Sequence, residues 1–134
     1  MIQKVTIRTQ GQGLYEFTEE VLGVVHASTV SDGLCTVFIR HTSASLTIQE
    51  NADPSATRDL EAWLARLVPE RDLLFTHTSE GPDDMPSHIK SILTDVSLSI
   101  PVMEGTLVLG TWQGIYLWEH RRAPHTREVV IHVA

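Results

Sequence analysis

Four groups of polar side chains carry the residue types that acid–base, metal or phosphate chemistry uses. The first is His41-Thr42-Ser43-Ala44-Ser45, which follows the apolar run from Leu34 to Ile39, and it is succeeded by Glu50-Asn51-Ala52-Asp53. Small hydroxyls beside an imidazole at a strand end offer donors to a phosphate or carboxylate. Turn chemistry accounts for the same hydroxyls equally simply. The second group runs from His77 to His88 and brings two imidazoles together with Glu80, Asp83 and Asp84. Imidazole and carboxylate in one loop could bind a divalent metal or exchange protons, although the spacing matches no standard zinc pattern. His88 stands four residues before Ile92, which on a helix aims it inward.

The third group is Gly110-Thr111-Trp112-Gln113-Gly114-Ile115-Tyr116-Leu117-Trp118-Glu119-His120. Gln113-Gly114 reads as a two-residue hairpin turn, which would pair Trp112 with Ile115, Gly110 with Leu117 and Val108 with Glu119 on one face. Leu109–Trp118 and Leu107–His120 would then occupy the other face. In that arrangement Glu119 and His120 cannot both enter one pocket without a bulge or a subunit boundary. A carboxylate among Val108, Ile115 and Leu117 must be paired, ligated or protonated, because an isolated buried charge is costly. The remaining imidazoles, His26, His125 and His132, have no chemistry-bearing neighbours in sequence and read as surface or interface residues.

The elements that would position these groups follow from periodicity. Alternation predicts strands over 2–8, 14–17, 34–39, 46–49, 96–100, 106–112, 115–121 and 128–133. A first helix is expected after Thr18 as its cap, with Val21, Leu22 and Val25 on one face. Asp53 followed by Pro54 marks the start of a second helix, whose Leu60, Trp63, Leu64 and Leu67 recur at helical spacing before Pro69 stops it. The stretch 70–86 reads as a long loop, and a short third helix spans 87–93. About eight strands and two to three flanking helices predict an α+β fold, a mixed or antiparallel β-sandwich or barrel-like sheet.

Composition narrows the function classes. The 134 residues, 42% of them apolar, suit one domain spanning 1–134 around a single core. A net charge of -7 with no basic run makes nucleic acid and anionic membrane surfaces poor partners. The lone Cys35 sits in an apolar run, where a small buried thiol is expected and no internal disulfide can form. Neither a signal peptide nor a membrane span is visible at the alternating N-terminus, so a cytoplasmic location is expected.

On these residues the chain resembles the YjbQ-like family, also described as the secondary thiamine-phosphate synthase enzyme family. The resemblance spans nearly the whole chain. It is carried by four ordered motifs: 41–46, Glu50-Asn51-Ala52-Asp53-Pro54, the run from Glu80 to His88, and the run from Gly110 to Arg121. The piece His77-Thr78-Ser79-Glu80 varies in such proteins. The resemblance implies a β-sandwich with flanking helices and a homotrimer with clefts between subunits. It also implies formation of thiamine phosphate from a pyrimidine diphosphate and a thiazole phosphate, with release of pyrophosphate and help from magnesium.

The leading functional expectation is therefore an enzyme acting on phosphorylated small molecules. In it, His41 and His120 move protons or stabilise leaving-group charge, Asp83 and Glu119 position a cation or a basic nitrogen, and Thr42, Ser43, Asn51 and Gln113 contact substrate. Two alternatives remain: a trimeric module that binds a small anion or metal without turnover, and a metal-assisted hydrolase with His77, His88 and His120 as ligands to zinc or magnesium.

Overall fold

In the computed structural model, which describes residues 1–134, eight strands form two antiparallel sheets and three helices flank them. The five-stranded sheet has the order β1-β8-β3-β5-β6, and the three-stranded sheet the order β2-β7-β4. In chain order, β1 is Ile2–Thr9, β2 is Gly13–Glu16, α1 is Thr18–Ser28, β3 is Gly33–Ile39 and β4 is Ala44–Glu50. Then come α2 (Pro54–Leu67), α3 (Asp84–Leu93), β5 (Ser97–Met103), β6 (Thr106–Leu107), β7 (Gln113–Glu119) and β8 (His125–Val133). No helix is long and apolar enough to cross a membrane.

Alternation places Cys35, Val37 and Ile39 of β3, Ile100 and Val102 of β5, and Val129, Ile131 and Val133 of β8 on one buried face. Leu46 of β4 with Ile115 and Leu117 of β7 face them from the smaller sheet, and Val21, Val24 and Val25 of α1 join the same core. This is the expected α+β architecture.

The Gln113-Gly114 hairpin does not form. β6 ends at Leu107, and β7 pairs with β2 and β4 in the other sheet, so residues 108–112 carry the chain between sheets. Gly114 lies within a strand opposite Gln49, and a Cβ there would come within 2.6 Å of Glu16 Oε2. The glycine thus serves close approach between neighbouring strands rather than a turn, two uses that leave the same mark in sequence. Without the hairpin, the predicted separation of Glu119 from His120 lapses. Glu119 ends the inward row of Ile115 and Leu117, His120 follows it past the strand end, and both are buried.

The helices depart from expectation in instructive ways. Asp53 does cap α2, accepting the Ser55 amide at 2.9 Å, with Pro54 in the first turn. Of the predicted apolar face, only Leu60 and Leu64 pack inward, against Trp118 and Val68; Trp63 and Leu67 are exposed. Thr18 does not cap α1. Its hydroxyl donates to Glu16 Oε2 at 2.7 Å and accepts the Ile115 amide at 2.9 Å, tying the helix start to β7. Helix α3 begins at Asp84, three residues earlier than expected, and Ile92 on it is exposed.

Candidate functional site

The early start of α3 determines the chemistry beside it. Asp84 and His88 stand one turn apart on the helix, so their side chains share a face. Asp84 is 2% exposed. Its Oδ1 accepts Arg121 Nη1 at 3.0 Å, while Arg121 Nε donates to Asp83 Oδ2 at 3.0 Å and Nη2 to the Glu80 carbonyl at 2.9 Å. One guanidinium therefore clamps the helix start and the loop before it. That loop delivers His77, whose Nε2 reaches to 2.7 Å from Asp84 Oδ2.

Asp84 Oδ2 is sealed from solvent and makes no hydrogen bond, although His77 Nε2 lies 2.7 Å away and His88 Nε2 3.4 Å away. His88 Nδ1 lies 3.0 Å from the Thr42 carbonyl, which can only accept, so the ring proton belongs on Nδ1. A neutral His88 then turns an Nε2 lone pair toward a carboxylate oxygen. Two acceptors facing each other in a buried place require a proton or a cation between them. One ring nitrogen from each of His77 and His88 and one Asp84 oxygen all lie within 4.8 Å of one another. The two spacings to Asp84 Oδ2, 2.7 and 3.4 Å, are near the about 3 Å edges of a polyhedron whose metal–ligand bonds are about 2.1 Å. A metal-ligating histidine characteristically donates its other N–H to a backbone carbonyl, as His88 does to Thr42.

Two cavities open beside these residues. One, of about 400 Å³, is lined by His77 and Thr78 with Arg71, Phe75 and Met85. The other, of about 520 Å³, is lined by His88 with His41 and Thr42.

Glu119 belongs to a separate buried network. Its Oε1 accepts Thr9 Oγ1 and Arg127 Nε, both at 2.7 Å, and its Oε2 accepts Arg127 Nη2 and the Arg121 amide. Burial would raise the Glu119 carboxyl, but the hydrogen bonds from Arg127 and Thr9 outweigh it and hold the group below its ordinary range. Arg127 Nη2 also donates to Ser43 Oγ at 3.0 Å. His41 lies alongside with its Nε2 accepting the Glu128 amide at 2.8 Å; burial and the Arg127 charge lower its pKa. His120 is 1% exposed with Nε2 2.8 Å from Ser45 Oγ, and burial, then the charge of Lys90, pushes its pKa down to about 3.

The structure thus unites some predicted residues and separates others. His77 and His88 do converge, but the third donor is Asp84; His120 is outside the group. Asp83 is occupied by Arg121 and the Arg122 amide. Asn51 and Gln113 sit at the far end of β7, six residues from Glu119, where Asn51 bonds Glu16 and Gln113 Oε1 accepts the Gly110 amide at 2.8 Å. Sequence reasoning missed Arg127 as the counter-ion of Glu119, because only pairing of β8 beside β1 brings it there.

A sequence model of UPF0047 proteins of the YjbQ-like kind matches residues 3–134. The chain is 55% identical over 130 residues to UPF0047 protein sll1880 of Synechocystis, covering 97% of this chain and 88% of that one. It is 41% identical over 127 residues to UPF0047 protein YjbQ of Escherichia coli O157:H7, covering 94% and 91%. An uncharacterised conserved protein of the YjbQ/UPF0047 family from Clostridium acetobutylicum superposes with a TM-score of 0.90 at 37% identity, covering 98% of this chain and 99% of that one. The hypothetical protein TT1486 of Thermus thermophilus gives 0.88 at 33% identity, covering 98% and 99%. With a matching sequence pattern from end to end and the same two-sheet fold, the chain belongs to the YjbQ-like UPF0047 family.

Proposed function

We propose that the chain is a metal-dependent enzyme acting on a phosphorylated small molecule, with His77, Asp84 and His88 as metal ligands. The observation that carries this reading is the sealed Asp84 Oδ2, which has no hydrogen bond and faces both imidazole Nε2 atoms. Two imidazoles and one carboxylate suit zinc, iron or manganese, whereas magnesium prefers an all-oxygen shell. Any magnesium in the reaction would accordingly arrive with a diphosphate substrate. A bound transition metal supplies electrostatic stabilisation to charge on a phosphoryl or leaving oxygen.

The protein's own groups prepare that place. Arg121 fixes Asp84, and the Thr42 carbonyl orients His88. The cavity beside His77 pairs Phe75 and Met85, which suit a flat ring, with Arg71 and Thr78, which suit a phosphate. A pyrimidine or thiazole phosphate has those two parts, so thiamine-phosphate formation is the reaction to assay first. Purified protein given both precursors, magnesium and zinc or manganese is expected to form thiamine phosphate above an Asp84→Asn background. No product, or equal product from both proteins, removes the synthase assignment. Phosphate release from a single precursor would instead mark a metal-assisted hydrolase.

A second reading, ligand binding without turnover, is favoured by one observation. The His41 Nε2 lone pair is occupied by the Glu128 amide, and His120 is held neutral, so neither is a ready proton carrier. Saturable thermal stabilisation by the precursors with no chemical change would support it. Assembly as a homotrimer is part of either proposal, and the exposed Trp63, Leu67, Leu74 and Ile92 give it apolar surface to cover. Light scattering would read the subunit number.

A further inference from the structure

Across α3 from the imidazole pair lies a separate cavity of about 180 Å³ whose wall includes Lys90 and His120. We propose that this cavity binds a small hydroxycarboxylate, with its carboxylate on the Lys90 ammonium. Residues 88 and 90 are about 200° apart around a helix axis, so α3 itself divides this cavity from the His77–Asp84–His88 group. The inference is therefore independent of the metal reading.

Lys90 is 6% exposed. Neither a hydrogen bond nor an ion pair reaches its ammonium, while its backbone carbonyl is used by Thr94. A charged group with three donors is costly to bury unless acceptors meet it. Asp84 Oδ2 is the one fully sealed side-chain polar atom that lacks a partner, so the bare Lys90 ammonium keeps a face on open space, and the cavity supplies it. His120 repeats the pattern: Nε2 is bonded to Ser45, and Nδ1 has no partner yet is not sealed.

Three neighbouring carboxylates already serve guanidinium groups. Glu70 pairs with Arg122 at 2.7 Å, Asp83 with Arg121, and Glu119 with Arg127. No protein acceptor reaches the Lys90 ammonium, and a carboxylate entering the cavity would supply one. Glu61, also on the wall, accepts the Leu14 amide at 2.9 Å through one oxygen. One ammonium against one available carboxylate favours a monoanion over a doubly charged phosphate, and a hydroxyl on the ligand would donate to Glu61. Trp118 and Leu64 add apolar surface to the lining. At about 30 Å³ per water-sized unit, the space accommodates a ligand of roughly six heavy atoms.

The test titrates chelator-treated protein labelled with ¹³C-lysine against L-lactate, with inorganic phosphate in parallel. The Lys90 resonance, assigned by its loss in Lys90→Met, is expected to shift saturably, and lactate is expected to raise the unfolding temperature. Lys90→Met should weaken lactate binding by about tenfold or more. Glu61→Gln keeps an acceptor for Leu14 but turns an NH2 group toward the ligand hydroxyl, and should erase the preference for L-lactate over propionate that the wild type is expected to show. Absence of a saturable shift, preference for phosphate over lactate, or unchanged affinity in folded Lys90→Met overturns the proposal. Should Lys90→Met not fold, an unchanged preference for L-lactate over propionate in Glu61→Gln overturns it instead.

Discussion

Glu119 and Arg127 meet across the connection between β7 and β8 as a two-pronged ion pair, with Arg127 Nε 2.7 Å from Glu119 Oε1 and 0% and 4% of the two residues exposed. Removing one partner leaves the other charged and buried. Glu119→Gln is expected to cost about 3–5 kcal/mol in urea denaturation, and replacing both residues with apolar ones of similar volume should recover much of that loss. The carboxyl pKa is depressed in the folded state, so its stabilising contribution is present above the unfolded value near 4.5 and is lost as pH falls through the lower folded value.

His120 gives stability a second, higher acid dependence. Burial, followed by the charge of Lys90, takes its pKa from 6.5 to about 3, so the unfolded chain binds a proton there that the folded chain refuses. Stability contributed by neutral His120 is full above pH 6.5 and falls as pH drops from 6.5 toward 3. The slope should approach about 1.4 kcal/mol per pH unit within that window. Unfolding free energies at pH 7, 6, 5 and 4 are expected to show this slope in wild type and lose it in His120→Gln, which retains an amide for Ser45.

Cys35 should be inert in the folded protein. It is 0% exposed in the core, and burial pushes its thiol up to about 11. Ellman's reagent at pH 8 is expected to modify no thiol in native protein and one per chain in denaturant, at a rate that follows opening. Rapid modification of native protein would contradict the packing of β3.

Local signals predicted the fold well wherever a single rule operated. Asp53-Pro54 located the start of α2, and alternation placed Val129, Ile131 and Val133 inward and His132 outward on β8. Ambiguous signals failed. Gly114 carries the mark of a turn glycine, but its missing Cβ makes room for Glu16, and only the pairing of β7 with β2 and β4 reveals that. The candidate metal group was half legible: His77 and His88 stand out by type, but Asp84 is distinguished from Asp83 only by the sealing of its Oδ2 and by the two imidazoles which that oxygen faces. Arg127 and Lys90 could not be found by motif, because their meaning lies in what surrounds them in space: a carboxylate for the first, no acceptor for the second.

His77, Asp84 and His88 are proposed to hold one transition metal ion. Titrating chelator-treated protein with cobalt(II) and reading the visible d–d spectrum tests this directly, since the bands report both stoichiometry and donor set. One equivalent should bind with nitrogen- and oxygen-donor bands, zinc should displace it and magnesium should not. Asp84→Asn and His88→Ala should each weaken binding by about 100-fold or more. Featureless spectra at stoichiometric cobalt, or a full equivalent bound unchanged by Asp84→Asn, would contradict the account.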